Sequence, residues 1–219
     1  MICGAIFDID GVLLDSMTIW CDLGSRYLKR HNIQPKDGLD KILFSMSMEQ
    51  GAEYLKNEYC NNADAADILD EIKDMLKEFY YYEVEPKDNA AGLLKFLKDR
   101  EIRIAAATSS PRGHVEKALA RTKLLPFIEK IFTTSEIGES KHSPLIYKTA
   151  AAYLGTTPDK TFVFEDSLYA LKTAADSGYC AVGVYDRYGE SDKDGVRTYG
   201  RAYLKNFDDF DIILPYMTN

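Results

Sequence analysis

The sequence is poor in the residues that staple small proteins or build soft-metal sites. Of its 219 residues, four are cysteines (Cys3, Cys21, Cys60 and Cys180) and three are histidines. No cysteines stand as C-x-x-C, and His31, His114 and His142 are dispersed without an H-E-x-x-H or H-x-H spacing. The thiols are therefore read as reduced, three of them packed in apolar surroundings, as in a cytoplasmic protein. The histidines read as surface or packing residues, with His142, beside Lys141, left open. Long apolar runs are also missing. The longest stretch without Asp, Glu, Lys or Arg is ten residues, 149–158, against the ~20 that a membrane span needs, so no membrane partner is expected. Dense basic runs are absent as well. Lys and Arg number 27 against 35 Asp and Glu, a net charge of −8, which argues against a nucleic-acid partner. No G-x-x-x-x-G-K-[ST] or G-x-G-x-x-G occurs, which removes P-loop and dinucleotide readings. The opening MICGAIFDID has no cationic segment and two carboxylates by residue 10, so it is not read as a secretion signal.

What is present is the composition of a globular chain, 46% apolar and 28% charged, long enough to bury a core without disulfides. Residues 2–7 (ICGAIF) form an apolar run suited to a buried strand. The next 70 or so residues read as helical. Ile19, Leu23 and Tyr27 recur at four-residue spacing, and Ile68, Leu69, Ile72, Met75, Leu76 and Phe79 form a helical stripe. After Pro86 the pattern alternates. Residues 102–107, 130–133, 161–164 and 180–184 read as strands, and 111–122, 144–154 and 167–177 as helices, with Gly155 as a C-cap. Strands separated by helices imply right-handed crossovers and a parallel sheet. The expected architecture is an α/β, Rossmann-like core of residues 1–15 and 84–219, with helices on both faces. An all-α domain, residues 16–83, is inserted after the first strand, with links near Asp15 and near 84–87.

Ligands of open parallel sheets bind beyond the carboxyl ends of the strands. Here those ends carry Asp8-Ile9-Asp10, then Thr108-Ser109-Ser110, then Glu165-Asp166, and Lys141 precedes the helix at Pro144. An Asp after a strand is ordinary turn chemistry, and Ser167 reads as a helix N-cap. The coincidence of acids, hydroxyls and a lysine at several strand ends points beyond turns. Four carboxylates brought together repel, and oxygen-only ligands suit Mg²⁺ as the compensating cation.

The sequence resembles the haloacid dehalogenase superfamily, and within it the β-phosphoglucomutase-like phosphatases with an α-helical cap. The D-x-D-G-[TV] motif stands as Asp8-Ile9-Asp10-Gly11-Val12, the Thr/Ser motif as Thr108-Ser109, and the lysine motif as Ser140-Lys141-His142-Ser143-Pro144. The acidic motif stands as Glu165-Asp166-Ser167-Leu168-Tyr169-Ala170. His142 replaces the usual Pro and Ala170 the usual Gly. The resemblance implies that the helical block is the family's cap and that the catalytic residues are Asp8, the nucleophile, and Asp10, the general acid and base. It implies that Mg²⁺ is held by Asp8, by Asp166, by Glu165 directly or through a water, and by Asp10 through its backbone carbonyl. It implies that Thr108, Ser109 and Lys141 bind phosphate and that the substrate is a small phosphorylated metabolite. A monomer or weak homodimer is expected. Arg112, three residues past Ser109, is either a phosphate contact or a solvated helix-start residue. The run Tyr80-Tyr81-Tyr82 reads as packing.

Two other readings stand beside the phosphatase. A sugar-phosphate mutase shares every core residue but must hold a second phosphate in its cap. Trp20 stands where β-phosphoglucomutases carry His. The stretch 43–48, with Phe44 and Met48, stands where they carry L-K-G-x-S-R, so a cationic distal site is not expected unless other cap cations, such as Lys41 or Lys56, substitute. A noncatalytic phospho-ligand binder is disfavoured by the intact Asp8 and Asp10 pair.

Overall fold

The computed structural model describes residues 1–44, 46–188 and 193–217. Ser45 and the side chain of Phe44, both in the stretch compared above with the mutase cap segment, lie outside the described residues. The chain divides into two compact units, Met1–Asp15 with Val84–Asn219, and Ser16–Glu83.

The larger unit is built on a sheet of six strands: β1 (Gly4–Phe7), β2 (Arg103–Thr108), β3 (Lys130–Thr133), β4 (Thr161–Glu165), β5 (Cys180–Val184) and β6 (Ala202–Leu204). Their order is β3-β2-β1-β4-β5-β6, and every neighbouring pair is parallel. β1 is central, so its carboxyl end lies between those of β2 and β4. Successive connections leave β1 toward β2 and β3 and then return to β4 on its other side, which makes the β1–β4 crevice the topological switch point.

The sheet is buried on both faces, which is why its strands read as apolar runs without polar alternation. In register, Ile6 faces Ala105 and Val163, and Val163 faces Ala181. These residues pack with Ile146, Tyr147, Ala150 and Leu154 of the helix Leu145–Leu154, with Leu171 and Ala174 of the helix Leu168–Asp176, and with Val196. The alternate positions Ala5, Phe7, Ile104, Ala106, Phe162, Phe164 and Val182 are equally buried, and the Phe7 and Phe164 rings stack at 4.1 Å. The helix Leu145–Leu154 follows Pro144 and ends at Gly155, whose φ of +66° closes the C-terminus in the left-handed conformation.

The helical unit has its own core. The helices Met17–Arg30, Leu39–Phe44, Met48–Glu58 and Ala65–Glu78 bury Tyr27, Leu28, Leu39, Ala52, Leu55, Ile68 and Ile72 together. Ser47 and Gln50 form a reciprocal capping box at the start of Met48–Glu58, and Asp64 caps the next helix by accepting from Ala66 N. Gly24 allows two helices to approach closely, because a Cβ there would fall 2.1 Å from Leu43 Cδ1. The last helix runs into a wider turn, Phe79–Glu83, that buries Phe79 and Tyr80 and leaves Tyr82 exposed.

The chain leaves and re-enters the larger unit through two paired segments. Asp15 N donates to Glu85 O and Lys87 N to Leu13 O, each at 2.9 Å, and Leu14 bridges Pro86 in antiparallel fashion.

Some details differ from the sequence reading. The sheet extends to β6 through the helix Lys193–Tyr199. Neither element was expected, because a three-residue strand has too few positions to present a pattern. β4 runs one residue further, so Glu165 belongs to the strand itself. Only Cys180 of the four thiols is buried; Cys21 and Cys60 are half-buried and Cys3 is exposed. The apolar neighbours of Cys3 in sequence face the core while Cys3, at the start of the strand, does not. Among the described residues no helix is long and apolar enough to cross a membrane.

Candidate active site

The register of the three central strands assembles the site. Phe7 pairs with Ala106 on one side and Phe164 on the other, so the next residue, Asp8, stands level with the ends of β2 and β4. Its backbone N–H donates to the Phe164 carbonyl at 3.0 Å, which continues the ladder one step and holds Asp8 beside Glu165. The chain then turns at once. Val12, Leu13 and Leu14 N–H groups all donate to the Ile9 carbonyl, and Gly11 takes φ of +73°, a conformation that a Cβ would strain.

Lys141 lies in the middle of the carboxylates. Its Nζ is 2.6 Å from Asp8 Oδ1 and 2.8 Å from Glu165 Oε1. Lys141 is 3% exposed and Glu165 fully buried. Tyr147, on the inward stripe of Leu145–Leu154, donates its hydroxyl to the same Glu165 Oε1 at 2.6 Å. Asp8, Glu165 and Asp166 each place a carboxylate oxygen within 4.8 Å of the others. The Asp10 side chain has different partners: Oδ2 accepts from Ser110 Oγ at 2.6 Å and from Thr108 Oγ1 at 3.4 Å. Thr108 Oγ1 itself accepts from Ser110 N–H at 3.0 Å, so the β2 end is a closed hydroxyl turn against Asp10. Ser109, between them, is exposed.

The electrostatics follow from crowding. Burial pushes the Asp8 carboxyl well above the usual range; Lys141 opposes this, while Glu165, Asp166 and Asp10 add to it. Asp166 is pushed up to about 7, first by burial and then by Glu165, against the pull of Lys141. Burial alone lowers Lys141, but Asp8 and Glu165 outweigh it and hold the ammonium above its ordinary value. One ammonium thus faces three clustered carboxyl groups.

The residues fit a hard cation. Glu165 Oε2 is buried and has no hydrogen-bond partner among the described residues. An unsatisfied buried polar atom costs ~1–3 kcal/mol, and more when charged, and a bound cation removes that cost. Three carboxylates, with no nitrogen or sulfur donor among them, suit a hard divalent cation rather than zinc or copper.

Several residues here were not singled out from sequence. Tyr147 carried no signal beyond its place on a helix stripe, and Ser110, though named at the end of the second strand, had no role assigned to it. Asp186, just past β5, is buried and paired with Lys87 at 2.5 Å, and it contributes to the shift of Asp166. Arg112, partly exposed, is taken up by carboxylates. Its guanidinium forks onto both Glu136 oxygens at 2.5 Å and reaches Glu116 and the Ile131 carbonyl. This fork lowers the Glu136 carboxyl to about 2. His142 stacks on Tyr169 at 4.5 Å. Ala170 is fully buried, so the helix after Asp166 accommodates the methyl group that replaces the usual Gly.

A model of the haloacid dehalogenase-like hydrolase family matches residues 5–184. The chain belongs to the haloacid dehalogenase-like hydrolases. The matched span includes Asp8, Asp10, Thr108, Lys141, Glu165 and Asp166. This hydrolase is 26% identical over 187 residues to validoxylamine A 7'-phosphate phosphatase of Streptomyces hygroscopicus subsp. limoneus, covering 82% of this chain and 84% of that one. It is 23% identical over 180 residues to a phosphorylated carbohydrates phosphatase of Thermotoga maritima, covering 79% and 80% of the two chains. Its fold matches a solved Thermotoga maritima structure named as a candidate beta-phosphoglucomutase, with a TM-score of 0.84 and 20% identity over 98% of this chain and 99% of that one.

Proposed function

We infer that this hydrolase is a Mg²⁺-dependent phosphatase that cleaves a small phosphorylated metabolite, a sugar phosphate or similar ester, through an aspartyl-phosphate on Asp8. The observation that carries the reading is the buried Asp8–Lys141 pair at 2.6 Å, set beside Glu165 and Asp166 and next to an Asp10 with separate partners. The two phosphatase relatives support the substrate class.

Asp8 and a phosphate dianion repel, by roughly 4 kcal/mol per pair of unit charges at ~4 Å and an effective dielectric of ~20. Lys141 offsets part of this and orients Asp8 through one oxygen. Asp8, Glu165, Asp166 and the Asp10 backbone carbonyl would hold Mg²⁺, which supplies further positive charge to the phosphoryl oxygens. Thr108 and the Ser109 N–H bind the remaining oxygens. In the first step an Asp8 carboxylate oxygen bonds to phosphorus, the bond from phosphorus to the ester oxygen breaks, and Asp10 gives that oxygen its proton. In the second, water attacks phosphorus, Asp10 takes the water's proton, and the Asp8–phosphorus bond breaks to release phosphate.

Hydrolysis rather than isomerisation is inferred from Trp20 and Met48, which offer no charge to a second phosphate. Each missing charge-assisted hydrogen bond is worth roughly 1.5–3 kcal/mol. The deciding experiment is phosphate release from a panel of sugar phosphates, with Mg²⁺ and with chelator, for wild type and Asp8→Ala. Undiminished turnover in chelator, or by Asp8→Ala, would overturn the mechanism. With β-glucose 1-phosphate and catalytic glucose 1,6-bisphosphate, glucose 6-phosphate forming faster than free phosphate would make the mutase reading the right one.

A further inference from the structure

We propose that Tyr147 is a positioning residue for the metal centre, holding Glu165 so that one carboxylate oxygen is committed to the protein and the other is left for the cation. This rests on the Mg²⁺ site inferred above and adds to it a residue that the strand-end motifs do not contain.

The argument is the asymmetry of the Glu165 carboxylate. Oε1 accepts from the Lys141 ammonium at 2.8 Å and from the Tyr147 hydroxyl at 2.6 Å. Oε2, on the same fully buried side chain, has no hydrogen-bond partner among the described residues. A glutamate kept only to neutralise Lys141 gains nothing from leaving one buried oxygen without a protein partner. A ligand gains from it, because the bare oxygen is the one free to take a cation. Lys141 alone does not fix that arrangement, since its Nζ is shared with Asp8 at 2.6 Å. Tyr147 has a single hydroxyl proton, given to Oε1, and sits fully buried on a rigid helix. Groups that hydrogen-bond a ligating carboxylate set its orientation, and losing one commonly costs ~10–100-fold in metal affinity.

The neighbouring Tyr179 provides the contrast. Its ring meets the Tyr147 ring edge-on at 6.1 Å, and its buried hydroxyl has no hydrogen-bond partner among the described residues. Two adjacent buried tyrosines therefore differ in whether the hydroxyl reaches the carboxylate cluster.

The test is Mn²⁺ binding to the full chain followed by electron paramagnetic resonance, a readout independent of turnover, for wild type, Tyr147→Phe and Tyr179→Phe. Phe keeps the ring packing in both variants, and the metal-free Tm checks the fold. Tyr147→Phe is expected to weaken Mn²⁺ binding about tenfold or more, and to raise the Mg²⁺ requirement for phosphatase activity by a larger factor than it lowers kcat. Tyr179→Phe is expected to bind Mn²⁺ as wild type does. Wild-type affinity in Tyr147→Phe, or equal weakening in both variants, overturns the positioning role while leaving the metal site standing. A wild-type chain that binds no Mn²⁺ overturns the metal site itself, and this role with it.

Discussion

The Ser110 hydroxyl donates to Asp10 Oδ2 at 2.6 Å, while the Ser110 backbone N–H is tied to Thr108 Oγ1 at 3.0 Å. The end of β2 therefore sets the direction of the Asp10 carboxylate. If Asp10 protonates the leaving oxygen, Ser110→Ala should slow hydrolysis of alkyl phosphates more than that of nitrophenyl phosphate, whose leaving group needs little protonation. A hydrogen bond to a charged group is worth ~1.5–3 kcal/mol, so the alkyl rate should fall by about tenfold or more. Equal losses on both substrates in a kcat/KM comparison would separate Ser110 from the acid step.

Lys141 is the counter-charge that allows Asp8 and Glu165 to be buried together. Lys141→Met keeps the stem and removes the charge. Breaking a buried pair by removing one partner typically costs ~3–5 kcal/mol. Chemical denaturation without metal should register a loss of that order at pH 8, and a smaller one at pH 5, where the orphaned carboxyls can take up protons. An equal loss at both values would mean that packing, not charge, is what Lys141 supplies.

Stability should depend on pH and Mg²⁺ together. In the metal-free chain Asp166 titrates at about 7, against ~3.9 for an unfolded Asp. The folded state holds the proton more tightly, so this contribution is fully present below pH ~4 and is lost as the pH rises through about 7. Bound at the inferred site, Mg²⁺ would replace the lost proton as counter-charge. The Tm gained on adding Mg²⁺ should then be several degrees larger at pH 8 than at pH 5.5. An equal gain, read by calorimetry at both values, would contradict the site as described.

Arg112 should matter to the fold and not to the chemistry. Its guanidinium is occupied by Glu136, Glu116 and the Ile131 carbonyl. Arg112→Ala should lower stability by about 1 kcal/mol, the scale of a partly exposed ion-pair network, with kcat/KM close to wild type. A tenfold rise in KM for phosphate esters would return Arg112 to the phosphate site.

How much was legible in advance follows from how local each feature is. The apolar runs of β1, β4 and β5 and the stripe at Ile68, Ile72 and Leu76 carry their periodicity in consecutive residues, so strand and helix were readable without partners. Asp8, Asp10, Thr108, Glu165 and Asp166 are fixed by position relative to a strand end. A parallel sheet brings such ends together, so the cluster was also readable. What only the tertiary structure decided depends on atoms meeting across distant segments. Tyr147 lies 18 positions from Glu165 and has no local pattern that marks it; Ser110 stood out at a strand end, but its partner Asp10 lies 100 positions away. Arg112 was ambiguous for the same reason, since a cation near a strand end serves a phosphate or a carboxylate equally well until Glu136 is seen beside it. The thiols are free, Cys180 is buried and Cys60 packs on the helical core, but Cys3 is exposed, because apolar neighbours in sequence do not say which way the chain faces. β6 escaped because its place beside β5 comes from pairing, not from its own three residues. Residue order determined the elements and the chemistry at their ends; long-range packing alone decided which hydroxyls and charges hold that chemistry in position, because hydrogen bonds of this kind are set by three-dimensional distance and not by spacing along the chain.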